Sequence, residues 1–106
     1  MSGIERYSNA EGAYTVVDGV SFTKGWDKYG RTCQFVQSAS NRVAVGMIVR
    51  LPKVAIARQP GRVYLTNDWT LSYEQKQADA ERGVQYHKTL TEAKARMLAI
   101  GTRVAA

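Results

Sequence analysis

The sequence predicts an α+β domain: an antiparallel β-meander of about five strands with a C-terminal helix packed on one face. Two observations carry that expectation. Short runs of β-forming residues separated by turn-forming pairs fill the first part of the chain, and an apolar stripe at helical spacing closes it. A chain of 106 residues with 44% hydrophobic content supplies one core and leaves no room for a second. Residues 13–106 therefore read as a single domain. The polar segment 1–12 before it is expected to be loosely held.

The elements follow in order. Ala13 to Val17 and Val20 to Thr23 flank Asp18-Gly19, a pair that suits a type I′ hairpin because both positions need positive φ. Lys24 to Gly30 (KGWDKYG) reads as a glycine-bounded turn, Arg31 to Gln37 as a strand, and Ser38 to Asn41 as the next turn. Arg42 to Arg50 alternates, with Val43, Val45, Met47 and Val49 on one face and Ala44, Gly46 and Ile48 on the other. After Pro52, the runs Lys53 to Arg58 (KVAIAR) and Arg62 to Thr66 flank Pro60-Gly61, so a second hairpin with a type II turn is expected.

Asn67 to Gly83 is open to two readings. Trp69, Leu71 and Tyr73 alternate like a strand, whereas Ser72 with Gln75 is a capping-box pattern and Gly83 suits a helix end. The last element is a helix. Thr89 with Glu92 forms another capping box, Leu90, Ala93, Met97 and Ile100 make the stripe, and Gly101 is expected to end it.

Several function classes lose support. Residues 1–12 hold no apolar run of the secretory type, and the most apolar stretch, Val43 to Val49, is far short of the roughly 20 residues of a membrane span. The lone Cys33 allows no intrachain disulfide and no cysteine zinc site, which favours a reducing cytoplasm, and in its alternating strand it reads as a small buried hydrophobe. His87, the only histidine, has no titratable partner at a useful spacing and reads as a surface or half-buried side chain before a helix. Asp79 and Glu81 read as a solvated face, and no glycine-rich loop matches a phosphate-binding pattern. No catalytic residue, metal or cofactor is expected; the chain reads as a binding protein.

One feature of the charge distribution points to a partner. Between Asp27 and Asp68 there is no acidic residue, while Lys28, Arg31, Arg42, Arg50, Lys53, Arg58 and Arg62 all lie there. Outside that interval eight basic residues meet nine acids, so the whole surplus of the +6 chain belongs to it. Arg31, Arg42, Arg50, Arg58 and Arg62 mark strand ends or turns and could gather along one rim, with Lys53 beside them and Tyr29 and Tyr64 placed to stack on bases. Basic strand ends also guard sheet edges against pairing with other chains, which explains the same placement without a ligand.

A short β-meander followed by His-Lys-Thr-Leu-Thr-Glu-Ala-Lys-Ala (His87 to Ala95) is similar to small accessory proteins of bacterial viruses. That resemblance implies a non-catalytic binder in the host cytoplasm. Three readings stand: a protein that binds nucleic acid or a host nucleoprotein complex through a basic sheet surface, an anti-CRISPR-like inhibitor of a host protein or defence complex, and a minor virion subunit. None calls for a membrane.

Overall fold

Both central residues of the first hairpin adopt the left-handed conformation its turn requires, Asp18 at φ 50° and Gly19 at φ 80°. That turn sits within a long meander. The computed structural model describes residues 4–9 and 12–105. In chain order its elements are β1 (Ile4–Asn9), β2 (Gly12–Val17), β3 (Val20–Trp26), β4 (Thr32–Ser38), β5 (Ala44–Arg50), α1 (Lys53–Arg58), β6 (Tyr64–Asp68), α2 (Tyr73–Ala78), α3 (Ala80–Gly83), β7 (Val84–His87) and α4 (Leu90–Ala105). The seven strands form one sheet in sequence order, every neighbouring pair antiparallel. The α+β meander with a C-terminal helix is thus the fold, with more strands than expected.

Three differences from expectation have physical causes. Lys53 to Arg58 is a helix, α1, and not a strand. β5 pairs directly with β6, so the segment between them has no place in the sheet, and the Pro52 carbonyl instead accepts hydrogen bonds from the N–H groups of Ala55 and Ile56. Pro60-Gly61 consequently turns the chain from α1 into β6 and does not tip a hairpin. Arg62 N–H bonds Gln59 O at 2.9 Å, and Gly61 is not at positive φ, so the turn is not type II. Two strands were also unforeseen, β1 and the four-residue β7. The loosely held segment expected over residues 1–12 lies partly outside the described residues, and within it Ile4–Asn9 pairs with β2.

The ambiguous stretch resolves towards helix. Ser72 Oγ accepts from Gln75 N–H and the Gln75 side chain accepts from Ser72 N–H, a complete capping box that opens α2. At the start of α4 the pattern is shifted by one residue. Thr89 Oγ1 accepts from Glu92 N–H, but the Glu92 carboxylate reaches back to Lys88 N–H.

α4 covers one face of the sheet. Ala93, Met97 and Ile100 are buried against Val20 and Phe22 of β3, Val36 of β4, and Val45 and Ile48 of β5. Val45 and Ile48 share this core despite the alternation of the strand. The register slips by one where Val36 pairs with Gly46 and Gln37 pairs with Ala44, and the unpaired Val45 turns towards the helix. Gly101 does not end α4, which runs on to Ala105. It lies where the helix crosses β3, and a methyl group there would sit 2.7 Å from a Val20 methyl. The glycine serves close approach, not termination.

The other face of the sheet is not covered by α4. Two cross-strand rows mark it: Tyr7–Tyr14–Thr23–Phe35–Met47–Asn67–Val84 and Gly25–Cys33–Val49–Leu65–Tyr86. Neither row holds a charged residue. Cys33 and Val49 are buried within them, and burial, then the nearby Asp27 carboxylate, pushes the Cys33 thiol above its ordinary pKa while Arg31 opposes the shift. No helix among the described residues is long and apolar enough to cross a membrane.

Two substitutions check this packing. Met97→Asp places an unpaired carboxylate in the core and should cost several kcal/mol, read as a large fall in thermal midpoint. Gly101→Ala gains up to about 1 kcal/mol of helix propensity but must push α4 off Val20, a strain of about 1–3 kcal/mol. It should therefore melt below the parent. A higher midpoint would mean that the helix does not bear on β3 at this point.

Candidate nucleic-acid interface

Antiparallel connectivity decides where each basic residue ends up. β3 finishes and β4 begins at one end of the sheet, and at that same end β5 finishes, β6 begins and β7 finishes. Arg31 precedes β4, with Lys28 and Tyr29 in the turn before it. Arg50 closes β5 and pairs in register with Tyr64, the first residue of β6. Lys53 and Arg58 lie on α1, and Arg62 follows it. These last three sit on an arm whose neck is closed by Leu51 N–H bonding Val63 O at 2.9 Å.

Arg42 is a correction. It occupies the β4–β5 connection, and in a meander alternate connections fall at opposite ends, so it stands at the far end from the others. It adopts φ 57°, a left-handed conformation uncommon for arginine, while its N–H bonds Ser38 O at 2.9 Å.

The cations at the shared end differ in their engagements. Arg31 is held by Asp27, Nε to Oδ2 at 2.6 Å, and Asp27 also accepts from the Tyr29 and Arg31 N–H groups. Desolvation, the largest single influence, would raise the Asp27 carboxyl, but those hydrogen bonds together overcome it and hold the group below its ordinary value. Arg31 therefore brings little free charge. Among the described residues, no carboxylate lies within ion-pair distance of Arg50, Lys53, Arg58 or Arg62, all of them exposed.

Aromatic rings interleave with these charges. The Arg62 guanidinium lies 4.5 Å from the Tyr86 ring centroid, Arg50 lies 6.0 Å from Tyr64, and Lys28 and Arg31 lie 5.1 and 5.2 Å from Tyr29. Trp26 ends β3 at the same end and is 74% exposed, next to Tyr29 at 71%. Sequence reasoning missed Trp26 and Tyr86. The signal available for Trp26 was its place between Lys24 and Lys28; for Tyr86 there was none, because β7 was not foreseen.

Two other constellations deserve comparison. Thr66, fully buried, has its Oγ1 2.8 Å from His87 Nε2 and 2.8 Å from Arg96 Nη1. Arginine can only donate, so Thr66 accepts from Arg96, and the same hydroxyl stands between His87 Nε2 and, at 3.5 Å, the Gln85 carbonyl oxygen. Burial first, then the Arg96 charge, lowers the His87 pKa, and Glu92 opposes the shift. Arg96 also donates to Arg82 O at 2.5 Å, so this network ties α4 to β6 and to the end of α3. At the far end of the sheet an open cleft of about 410 Å³ is lined by Asp68, Thr70, Gln75, Arg82 and Arg103 among others. Its Asp68 carboxylate is taken up by Thr70 N–H and O–H, at 2.8 and 2.5 Å. Among the described residues no three His, Cys, Asp or Glu side chains are grouped to hold a metal ion.

The His87 geometry sets a pH dependence. Its folded pKa lies below the ordinary 6.5, so between those values the unfolded chain binds more protons and stability rises with pH. The contribution is fully present above 6.5 and is lost as pH falls through the lowered folded value. Urea midpoints measured downward from neutral pH should decline over that window, and His87→Gln should remove that part of the decline. An unchanged profile in the variant would place the titration elsewhere.

Comparison with protein-family models, with curated proteins and with solved structures finds no match to this chain, so its site is read from its own residues.

Proposed function

We propose that the protein is a non-catalytic accessory protein that binds nucleic acid, or a nucleoprotein complex, through the basic end of its sheet. The observation that carries this reading is the group Arg50, Lys53, Arg58 and Arg62, exposed at one end of the sheet without carboxylate partners among the described residues. Surface charges that serve only to guard edges need not share one end, and the edge strands of this sheet are β1 and β7, which carry none of the four. Guanidinium forks match phosphate oxygens in geometry as well as charge, and each phosphate neutralised releases counterions into solution. Tyr64 and Tyr29 stand beside the charges.

The arm is the part best suited to reach a backbone. Its helix α1 buries no residue, so Lys53 and Arg58 are held by a short, solvent-surrounded element. The competing readings, an inhibitor of a host protein or defence complex and a minor virion subunit, differ in partner and not in fold. Co-purification with one host protein in the absence of oligonucleotide binding would favour the inhibitor, and stable self-assembly at low concentration the virion subunit.

Fluorescence anisotropy with a labelled single-stranded oligonucleotide over a salt series tests the reading. The logarithm of affinity should fall with the logarithm of salt at a slope of about −3 if four phosphates are engaged. Arg50→Glu with Arg58→Glu should flatten that slope. Arg42→Glu and Arg103→Glu, exposed and at the far end, should leave it unchanged. Arg96 is unsuitable as a control because it holds the fold together. Absence of binding at low salt, or equal losses from the two ends, would retire the proposal.

A further inference from the structure

We infer that the sheet face turned away from α4 is a stacking platform for the bases of a single strand, with Phe35 and Tyr86 as its exposed rings among the described residues. The inference rests on the nucleic-acid reading above and deepens it by naming the form of nucleic acid: single strands in preference to duplex.

The face has the composition that such a role requires. Two of its rows, the pair nearest the basic end that run on to β7, carry no charge, in a chain of which 23% is charged, and the charged Glu5 of β1 lies in the next row towards the far end. A base ring can lie over these rows without desolvating a charge, and a phosphate finds no cation in them. The charges stand at its end instead, which separates the two halves of a nucleotide strand by chemistry: phosphates to the arginines, bases to the sheet. That complementarity distinguishes a nucleic-acid strand from a second copy of this basic chain, whose own cations would be brought together at the same rim.

Phe35 and Tyr86 are shaped for it. Phe35 sits over Gly25, with its ring so close that a methyl on Gly25 would meet Cε2 at 2.9 Å. The missing side chain at Gly25 lets the ring lean down along the sheet, and the ring stays 37% exposed. Tyr86 is 44% exposed, and the Arg62 guanidinium stacked 4.5 Å from its centroid joins it to the basic arm. The two rings lie on β4 and β7, three strand spacings apart, or about 14 Å across the sheet. That distance is too great to sandwich one base, so each ring takes its own. In a duplex the base faces are already stacked on one another and cannot reach either ring.

The test uses the full chain, labelled oligothymidine and a duplex of the same length. Phe35→Leu keeps apolar cover over Gly25 and removes only the π-face, and Tyr86→Leu does the same on β7. Each should weaken single-strand binding roughly five- to a hundredfold, leave duplex binding unaltered and leave the salt slope unchanged. Phe35→Trp should restore or exceed parental affinity. Thermal midpoints of the variants, held near the parent, separate loss of stacking from loss of fold. If both leucine variants bind single strands like the parent while Arg50→Glu with Arg58→Glu still flattens the slope, the platform is wrong and the basic end stands. If nothing binds at low salt, both fall. If sedimentation shows a dimer that Phe35→Glu dissociates, the face is an interface between copies, and the platform is overturned.

Discussion

Everything else in this domain rests on how closely α4 lies against the sheet. A single helix seals one face of the sheet over β3 to β7, and it does so with Ala93, Met97 and Ile100 at the centre. Full burial of side chains such as Met97 and Ile48 is worth about 1.5–3 kcal/mol apiece relative to exposure, so the contact is a main source of stability for a chain of this size. Its geometry is set at Gly101, where only a hydrogen in place of a side chain lets the helix approach Val20. The bulge that turns Val45 into the same core extends the seal along β5.

That contact also explains why polar groups are found inside it. The rows facing α4 include Lys24, Thr66, Asp68, Arg50 and His87. Where such groups fall beneath the helix they must be satisfied, and Thr66 meets the demand by standing between His87 and Arg96. Where they fall beyond the start of the helix, as Arg50 and Tyr64 do at the sheet end, they face solvent or are half-buried and free to meet a partner. One face of the sheet is therefore sealed with charges at its margins, while the other is half open and carries no charge in its two rows nearest the basic end. The division of labour between a charged rim and a stacking face follows from this asymmetry.

Legibility in the sequence varied with how local the deciding interaction was. The Asp18-Gly19 turn, the Ser72–Gln75 capping box and the apolar stripe of α4 were all readable, because each is set by groups within a few residues of one another. α1 was misread because Val54-Ala55-Ile56-Ala57 alternates acceptably for a strand, and what excludes it from the sheet is the direct pairing of β5 with β6. β7 was overlooked because four residues give too short a period to read. Gly101 was assigned the commonest local duty of a glycine near a helix end, while its actual duty is to a strand some 80 residues earlier in the chain.

The candidate site shows the same division. By itself the sequence determined that the positive surplus lies between Asp27 and Asp68, because that follows from residue order alone, whereas Arg58, expected at a strand end, closes the helix α1. Only the tertiary structure decided which of its cations share an end. The antiparallel meander sends Arg42 to the far end of the sheet and leaves Arg50, Lys53, Arg58 and Arg62 without carboxylate partners among the described residues, while Arg31 is tied locally to Asp27, four residues before it. It also joined to them the aromatic residues Trp26 and Tyr86, and set Phe35 over Gly25 on the face turned away from α4. The physical reason is that charge and propensity belong to residues, whereas proximity across a sheet belongs to register, and register is fixed only when the strands pair and one face is buried.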